Sequence, residues 1–268
     1  MKAVLNHFAF EFKTGLRNPT QLLMNYLFPL GFYVMMGAVM VPINPLFAAS
    51  MVPAMIAVAA MASALLGLPG TLVESREAGI YRSFKINGVP AASILAVPAL
   101  STLFPVLIVA AVITVTAPLF KGELPVHWAW FVLVTVITAF SYAALGALIG
   151  VVATDSRSTV LYSQLIFLPS MILGGFMVPT EILPAAIQPL ARLLPATYTM
   201  QAYKGLAYDQ TTVMNPALAL AVLLSSGILA LGLGIYLFNW DSRNLSRRGH
   251  PAMGLLVLAP YLLGALLS

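Results

Sequence analysis

Long apolar runs separated by short polar segments dominate the hydrophobic pattern of this chain. Six runs each hold about the 20 residues that an α-helix needs to cross a bilayer. They are too uniformly apolar for the alternating strands of about ten residues in a membrane barrel. The runs lie near 22–41, 49–72, 91–119, 128–152, 160–178 and 217–238. The pattern therefore predicts an all-α membrane protein, a bundle of six transmembrane helices.

Apolar positions also recur outside these six runs. In residues 1–19, Leu5, Phe8 and Phe12 fall at helical spacing and the basic residues fall elsewhere on the wheel. This spacing predicts an interfacial helix on the membrane surface and not a solvated leader. Residues 251–268 form an extra apolar C-terminal segment, which leaves two interpretations: a seventh span, or a hairpin against the membrane.

The composition excludes a water-soluble fold. Hydrophobic residues make up 60% of the 268 positions and charged residues only 8%, against roughly 25% charged residues in ordinary soluble domains. A soluble domain of this size cannot bury so much apolar surface. The chain has no cysteine, which excludes disulfides, thiolate metal sites and thiol nucleophiles.

The basic residues indicate an orientation. Ten of the thirteen Lys and Arg residues lie in the N-terminal segment and in the segments after spans two, four and six, while Lys121, Arg192 and Lys204 lie on the opposite side. Positive residues accumulate on the cytoplasmic side of membrane proteins. We therefore expect a multi-pass protein of the inner (plasma) membrane with a cytoplasmic N-terminus, and no nucleic-acid partner.

The segment 74–88 carries the densest charge in the chain. Glu77, Ile80 and Phe84 fit successive turns of a short helix that Gly88 ends. A short amphipathic helix between two spans can dock in a groove of a soluble partner. The alternative is a solvated loop that follows the positive-inside rule.

The segment 179–215 before the last span is long, poor in charge and rich in proline. Pro179, Pro184, Pro189 and Pro195 divide it into short pieces. Because irregular backbone cannot face lipid, we expect short re-entrant helices packed into the outer rim of the bundle. A hydrophobic cap without a role in transport is the alternative.

A pair of glycines lies in the fourth apolar run. Gly146 and Gly150 form a small-xxx-small pattern, which allows two helices to approach closely. We expect this contact within the chain first and between subunits second.

Several kinds of chemistry are absent from the sequence. It contains no G-x-x-x-x-G-K-[ST] phosphate loop, so the chain cannot bind ATP in that way. The six runs hold no ionisable acid or base, which proton-coupled carriers use. His7, His127 and His250 lie in separate segments and predict no metal site. We therefore expect no catalytic, cofactor-binding or metal-binding residue in this chain, and no enzyme.

Two motifs, one after span two and one before span six, resemble those of ABC-2-type transporter permeases. These permeases are the membrane-spanning subunits of exporters for drugs, lipids and polysaccharides. The motifs are Glu74-Ser75-Arg76-Glu77-x-Gly79 after span two, and Gly174-Gly175-Phe176-x-x-Pro179 to Leu194-Pro195-x-x-Tyr198 before span six. The resemblance assigns residues 1–250 to one transmembrane domain. Ile80 departs from the family, which commonly has Thr there, and so does the tail beyond His250.

The resemblance implies roles for both segments. Segment 74–88 would be a cytoplasmic coupling helix on an ABC ATPase subunit, and 179–215 would form the outer gate. The implied coupling residues are Glu74, Arg76, Glu77, Gly79, Arg82 and Lys85. The implied gate residues are Gly174, Gly175, Phe176, Pro179, Pro184, Pro195 and Tyr198. A homodimer or a pair of paralogous permeases would work with ATPase subunits that bind ATP and Mg²⁺.

The expected function is export by alternating access, driven by ATP hydrolysis in the separate subunit. The spans offer no charge to stabilise an ion, which favours an amphiphilic, drug-like or lipid-like substrate. Two alternatives remain: an ATP-independent secondary carrier, and a membrane scaffold or assembly protein. A neighbouring reading frame with a phosphate loop would favour the exporter.

Overall fold

The computed structural model describes residues 18–177, 180, 183–184, 186–240 and 249–267, and every regular element among them is helical. Numbered along the chain, the main helices are α1 (Pro19–Ile43), α2 (Phe47–Glu77), α3 (Ile80–Ile86), α4 (Ala91–Phe120), α5 (Trp128–Val152), α6 (Ser156–Leu173), α7 (Gln188–Ala191), α8 (Pro195–Ala202, continued by Tyr203–Ala207), α9 (Pro216–Leu237) and α10 (Pro251–Leu267). The all-α prediction is confirmed for this part of the chain. The predicted interfacial helix 1–19 lies outside the described residues, except for its last two positions.

Five of the described helices, α1, α2, α4, α5 and α9, are long and apolar enough to cross a bilayer. Each coincides with one of the predicted runs, and α5 has the predicted bounds. α6 covers most of the remaining run but is not among the five, because its 18 residues include Arg157 and Gln164. The count of six crossings therefore stays a prediction.

Side-chain caps set the starts of several helices. Asn18, Asp155 and Asn215 accept hydrogen bonds from backbone amides in the first turns of α1, α6 and α9. These amides have no partner within their own helix. Proline follows at the start of α1 and α9, where its missing amide breaks no helical hydrogen bond. The polar segments between the apolar runs thus define where these helices begin.

Helices α2 and α5 form the centre of the bundle, and their backbones are in contact. α2 is buried along nearly all of its apolar length. A Cβ atom on Gly146 would lie 2.1 Å from the carbonyl oxygen of Ala64, which lies in the π-helical turn Ala62–Gly67 of α2. A Cβ atom on Gly150 would also collide with α2. The prediction that this glycine pair packs within the chain is confirmed.

Hydrogen bonds between elements identify the two ends of the bundle. At one end, Arg76 of α2 donates to the last carbonyl groups of α5. At the other end, the backbone amide of Val126 donates to the carbonyl group of Ala207. We call them the Glu77 end and the Trp128 end.

The C-terminal helix α10 packs along α9. Its first eight residues are 3₁₀-helical and the rest are α-helical. Gly254 lies beside Val152 at the Glu77 end, whereas Gly264 lies beside Tyr198 and Val222. α10 therefore runs from the Glu77 end toward the Trp128 end.

Candidate functional site

The charged segment 74–88 lies at the Glu77 end and consists of two helices joined by a left-handed turn. α2 continues to Glu77, Gly79 has a φ of 75°, and α3 follows. The prediction that Glu77, Ile80 and Phe84 share one short helix is therefore wrong. α2 extends this far because no Gly or Pro lies between Gly70 and Gly79, and Gly79 at positive φ then ends it.

The exposed side chains of this segment form a mixed surface. Acidic residues lie at the end of α2, basic residues lie on α3, and Ile86, an apolar side chain, is 85% exposed. We define the coupling surface as the side chains of Glu74, Glu77, Arg82, Lys85 and Ile86. Four of the six predicted coupling residues lie on it. Gly79 forms the turn between its two helices.

Aromatic contacts hold α3 against the bundle. Tyr81, which is buried beneath the coupling surface, packs against Phe238 with the ring centres 5.4 Å apart. Phe238 directly follows α9 and packs edge-on against Trp240 at 5.2 Å. The coupling surface is therefore attached to the end of α9, an arrangement that a solvated loop would lack.

Arg76, the remaining predicted coupling residue, faces the interior and is only 6% exposed. Its guanidinium donates hydrogen bonds to the carbonyl oxygens of Val151 at 3.2 Å and Ala153 at 2.5 Å, and longer ones to those of Gly150 and Thr154. The last carbonyl groups of a helix lack helical partners and carry the negative end of the helix dipole. Arg76 therefore caps the C-terminus of α5. Sequence reasoning missed this role, because its partners lie 74 to 78 residues away along the chain.

Toward the Trp128 end, the turn after α6 packs tightly against α8. A Cβ atom on Gly174 would lie 2.3 Å from that of Ala196 in α8, and Gly175 has a φ of 87°. Phe176 is fully buried. Pro195 occupies the start of α8, where proline is favourable. Gly174 and Gly175 thus contact α8, and Phe176 and Pro195, which adjoin these contacts in the sequence, are buried.

Helix α8 is buried although many of its residues are polar. The hydroxyl group of Tyr198 donates to the carbonyl oxygen of Tyr261 in α10 at 2.9 Å. The hydroxyl groups of Tyr203 and Thr135 are 2.8 Å apart and join α8 to α5. Gln201 accepts a hydrogen bond from a backbone amide before α9 at 3.0 Å. Apart from Tyr198, sequence reasoning missed these residues. The one feature of the sequence that could have indicated them is that they are polar and have apolar neighbours.

The other two predicted gate residues are proline. Pro184 is exposed before α7, and its carbonyl group accepts a hydrogen bond from the amide of Ile187 at 2.8 Å. Pro179 lies outside the described residues, so its place in the gate stays a prediction. The described part of 179–215 contains the two short helices α7 and α8.

Among the described residues, no cluster of three or more His, Cys, Asp or Glu side chains could hold a metal ion. Asp155, the cap of α6, accepts hydrogen bonds from the backbone amide and the hydroxyl group of Ser158. These bonds hold the pKa of the Asp155 carboxyl group below its usual value. The cap therefore stays charged at neutral pH.

The long apolar helices define a multi-pass membrane protein. The family model of the ABC-2 type transporter matches residues 5–208, a range that includes the coupling surface and α8. The chain belongs to the ABC-2 type transporter family. No curated protein and no solved structure gave a significant match.

Membership of this family identifies the chain as a permease subunit of an ABC transporter. It implies a partner, an ABC ATPase, as the subunit in which ATP is hydrolysed. The match ends at residue 208, so α9 and α10 lie beyond it.

Proposed function

We propose that this chain is the permease subunit of an ATP-driven exporter, and that a separate ABC ATPase binds ATP and Mg²⁺ and docks on the coupling surface. The observation that carries the proposal is that one helix, α5, is bonded to both predicted functional segments. Arg76 joins it to the end of α2, which carries Glu74 and Glu77 of the coupling surface, and Tyr203 joins it to α8. A packed helix of this kind can relay a displacement from one end of a bundle to the other.

The coupling surface has the composition of a docking site. Ile86 offers exposed apolar area, and exposed charged side chains of both signs lie in the same segment. Protein interfaces commonly combine an apolar centre with a polar rim. Glu77 supplies a carboxylate that can accept charge-assisted hydrogen bonds from Arg or Lys of the ATPase subunit.

The turn after α6 and helix α8 form the outer gate in this proposal. Gly174 and Ala196 allow the two segments to pack in direct contact, and the Tyr203 hydroxyl group links α8 to α5. Small shifts of α5 would change this packing, because packed contacts switch between discrete arrangements. Alternating access would follow from that change.

The substrate in this proposal is amphiphilic, drug-like or lipid-like. An apolar groove of about 460 Å³ lies between α4 and α5 and opens on the surface of the bundle. Side chains of Leu107, Val115, Trp128 and Phe131 line it, together with Thr114. A groove of this kind accepts apolar chains, whereas an ion would find no compensating charge there.

The proposed topology places the N-terminus and the Glu77 end in the cytoplasm, within the inner (plasma) membrane. The excess of Lys and Arg on that side supports it. α6 is the sixth crossing helix in this proposal, and α10 adds a seventh. The permease would assemble as a homodimer, or with a paralogous permease, above its ATPase subunits.

Co-reconstitution in lipid vesicles tests the proposed function. The purified chain alone should neither bind nor hydrolyse ATP, because it lacks a phosphate loop. With its ABC ATPase subunit, ATP hydrolysis should appear and should drive transport of an amphiphilic fluorescent dye. Tight nucleotide binding by the chain alone contradicts the proposal. Transport without ATP would indicate a secondary carrier, and the absence of both activities a scaffold.

A substitution on the coupling surface tests whether this surface binds the ATPase subunit or is only exposed to solvent. Glu77→Ala should weaken binding of the ATPase subunit about tenfold, since one charge-assisted hydrogen bond contributes about 1.5 kcal/mol or more. Glu123→Ala removes an exposed carboxylate at the Trp128 end and is the matched control. Equal binding by both variants would show that Glu77 belongs to a solvated surface only.

A further inference from the structure

Arg76 and Glu77 are neighbours in the sequence but face opposite environments. Glu77 is exposed on the coupling surface, whereas the guanidinium group of Arg76 is inserted at the end of α5. Successive residues of an α-helix point about 100° apart, so one helical end can contact two partners at once. A single peptide unit therefore separates the exposed Glu77 from the residue that is hydrogen-bonded to the end of α5.

We propose that Arg76 is the positioning residue that transmits movement of the coupling surface to α5, and through α5 to the outer gate. This inference rests on the proposed function. Arg76 itself touches neither the ATPase subunit nor the substrate. It acts by fixing the C-terminus of α5 to the last turn of α2.

The chemistry of the contact requires arginine. A planar guanidinium group has five N–H donors in a rigid fork, and here it reaches carbonyl groups on both sides of the helix end, from Gly150 to Thr154. A lysine ammonium group has three donors and acts as a compact point charge. It would keep the attraction to the helix dipole but would satisfy fewer of these carbonyl groups.

The remaining contacts of α5 make it suitable as the transmitting element. The backbones of α2 and α5 touch at Gly146, so the middle of the pair cannot slide freely. The hydroxyl group of Ser141 donates to the carbonyl oxygen of Leu223 in α9 at 2.8 Å. Thr135 then bonds Tyr203 of α8. Arg76 is thus the first of four contacts along α5 that lead from the coupling surface to the gate.

The test measures the amount of substrate transported per ATP hydrolysed, in vesicles that contain the chain and its ATPase subunit at matched levels. Arg76→Gln should lower this ratio at least about fivefold, the lower end of coupling between distant sites. Its affinity for the ATPase subunit should stay at the wild-type value. Arg76→Lys should give an intermediate ratio. Arg157→Gln removes an exposed arginine at the same end and should keep the wild-type ratio.

A wild-type ratio in folded Arg76→Gln protein overturns the inference, and so does a ratio that falls equally in Arg157→Gln. If Arg76→Gln does not insert into the membrane, the inference is tested with Arg76→Lys and Tyr203→Phe instead. Tyr203→Phe removes the hydrogen bond to Thr135, which lies near the other end of α5. Both should lower the ratio at unchanged partner affinity, and wild-type ratios in both overturn the inference. Failure of the wild-type chain to show partner-dependent ATPase activity contradicts the proposed function itself.

Discussion

Small and polar residues set many of the contacts between the helices of this bundle. The hydroxyl group of Ser63 donates to the side-chain oxygen of Asn25 at 2.7 Å and joins α1 to α2. Ser141 bonds the carbonyl group of Leu223 and joins α5 to α9. Gly146 has no side chain, which allows the backbones of α2 and α5 to touch. Helix association in lipid depends on such close packing and hydrogen bonds, because lipid is as apolar as the side chains it replaces.

The glycine contact gives a prediction at the scale of one methyl group. Gly146→Ala should destabilise the protein by about 1 to 3 kcal/mol, since the added Cβ atom would overlap the carbonyl oxygen of Ala64 and the backbones must separate. Gly232→Ala is the control, because no atom lies within 4 Å of a Cβ atom at that exposed helical position. It should be neutral or stabilising by up to about 1 kcal/mol. Thermal unfolding in detergent measures both, and equal stability of the two variants would contradict the contact.

At the scale of whole elements, long apolar runs were predictable, but not every element end was. The run 128–152 became α5 with the predicted bounds, because an apolar helix must continue until its polar flanks reach water. α2 instead continued past its apolar run to Glu77, so the charged segment divided into two helices. Polar residues alone do not reveal that Arg76 has partners in α5, since these partners are distant in sequence.

The length of α10 favours a seventh span over a hairpin, and the crossing stays a prediction. A 3₁₀-helix rises about 2.0 Å per residue and an α-helix about 1.5 Å, so Pro251–Leu258 and Ala259–Leu267 together extend about 30 Å. This length equals the hydrocarbon thickness of about 30 Å, which 17 purely α-helical residues would not reach. The position of Gly264 beside Val222 agrees with a crossing along α9.

A crossing by α10 predicts where its C-terminal end is accessible. Leu266→Cys should react with a membrane-impermeant maleimide from the same side as Thr211→Cys, and from the opposite side to Ser83→Cys. All three positions are exposed, and Thr211 also borders a polar pocket. The chain has no cysteine of its own, so only the introduced cysteine can react. Labelling of Leu266→Cys from the same side as Ser83→Cys would identify a hairpin that returns to its own side.

At the scale of the whole molecule, the two predicted functional segments occupy opposite halves of one bundle. The sequence indicated both segments through charge density and proline spacing, and four of the six predicted coupling residues are exposed. Their connection through α5 was not predictable, because it depends on Thr135 and Tyr203, two residues 68 positions apart. Pair contacts of this kind arise from packing and leave no periodic signal in a single sequence.

The absolute orientation of the bundle is the last prediction. Lys and Arg near the ends of spans are retained in the cytoplasm, and the predicted topology assigns ten of the thirteen Lys and Arg residues to the side on which Glu77 lies. In intact cells, an impermeant maleimide should therefore label Thr211→Cys, whereas Ser83→Cys should react only after the membrane is permeabilised. Denatured protein labelled at both positions serves as the control for intrinsic reactivity. The reverse pattern would place the coupling surface outside the cell, where no ATP-hydrolysing subunit could use it, and would overturn the proposed mechanism along with the orientation.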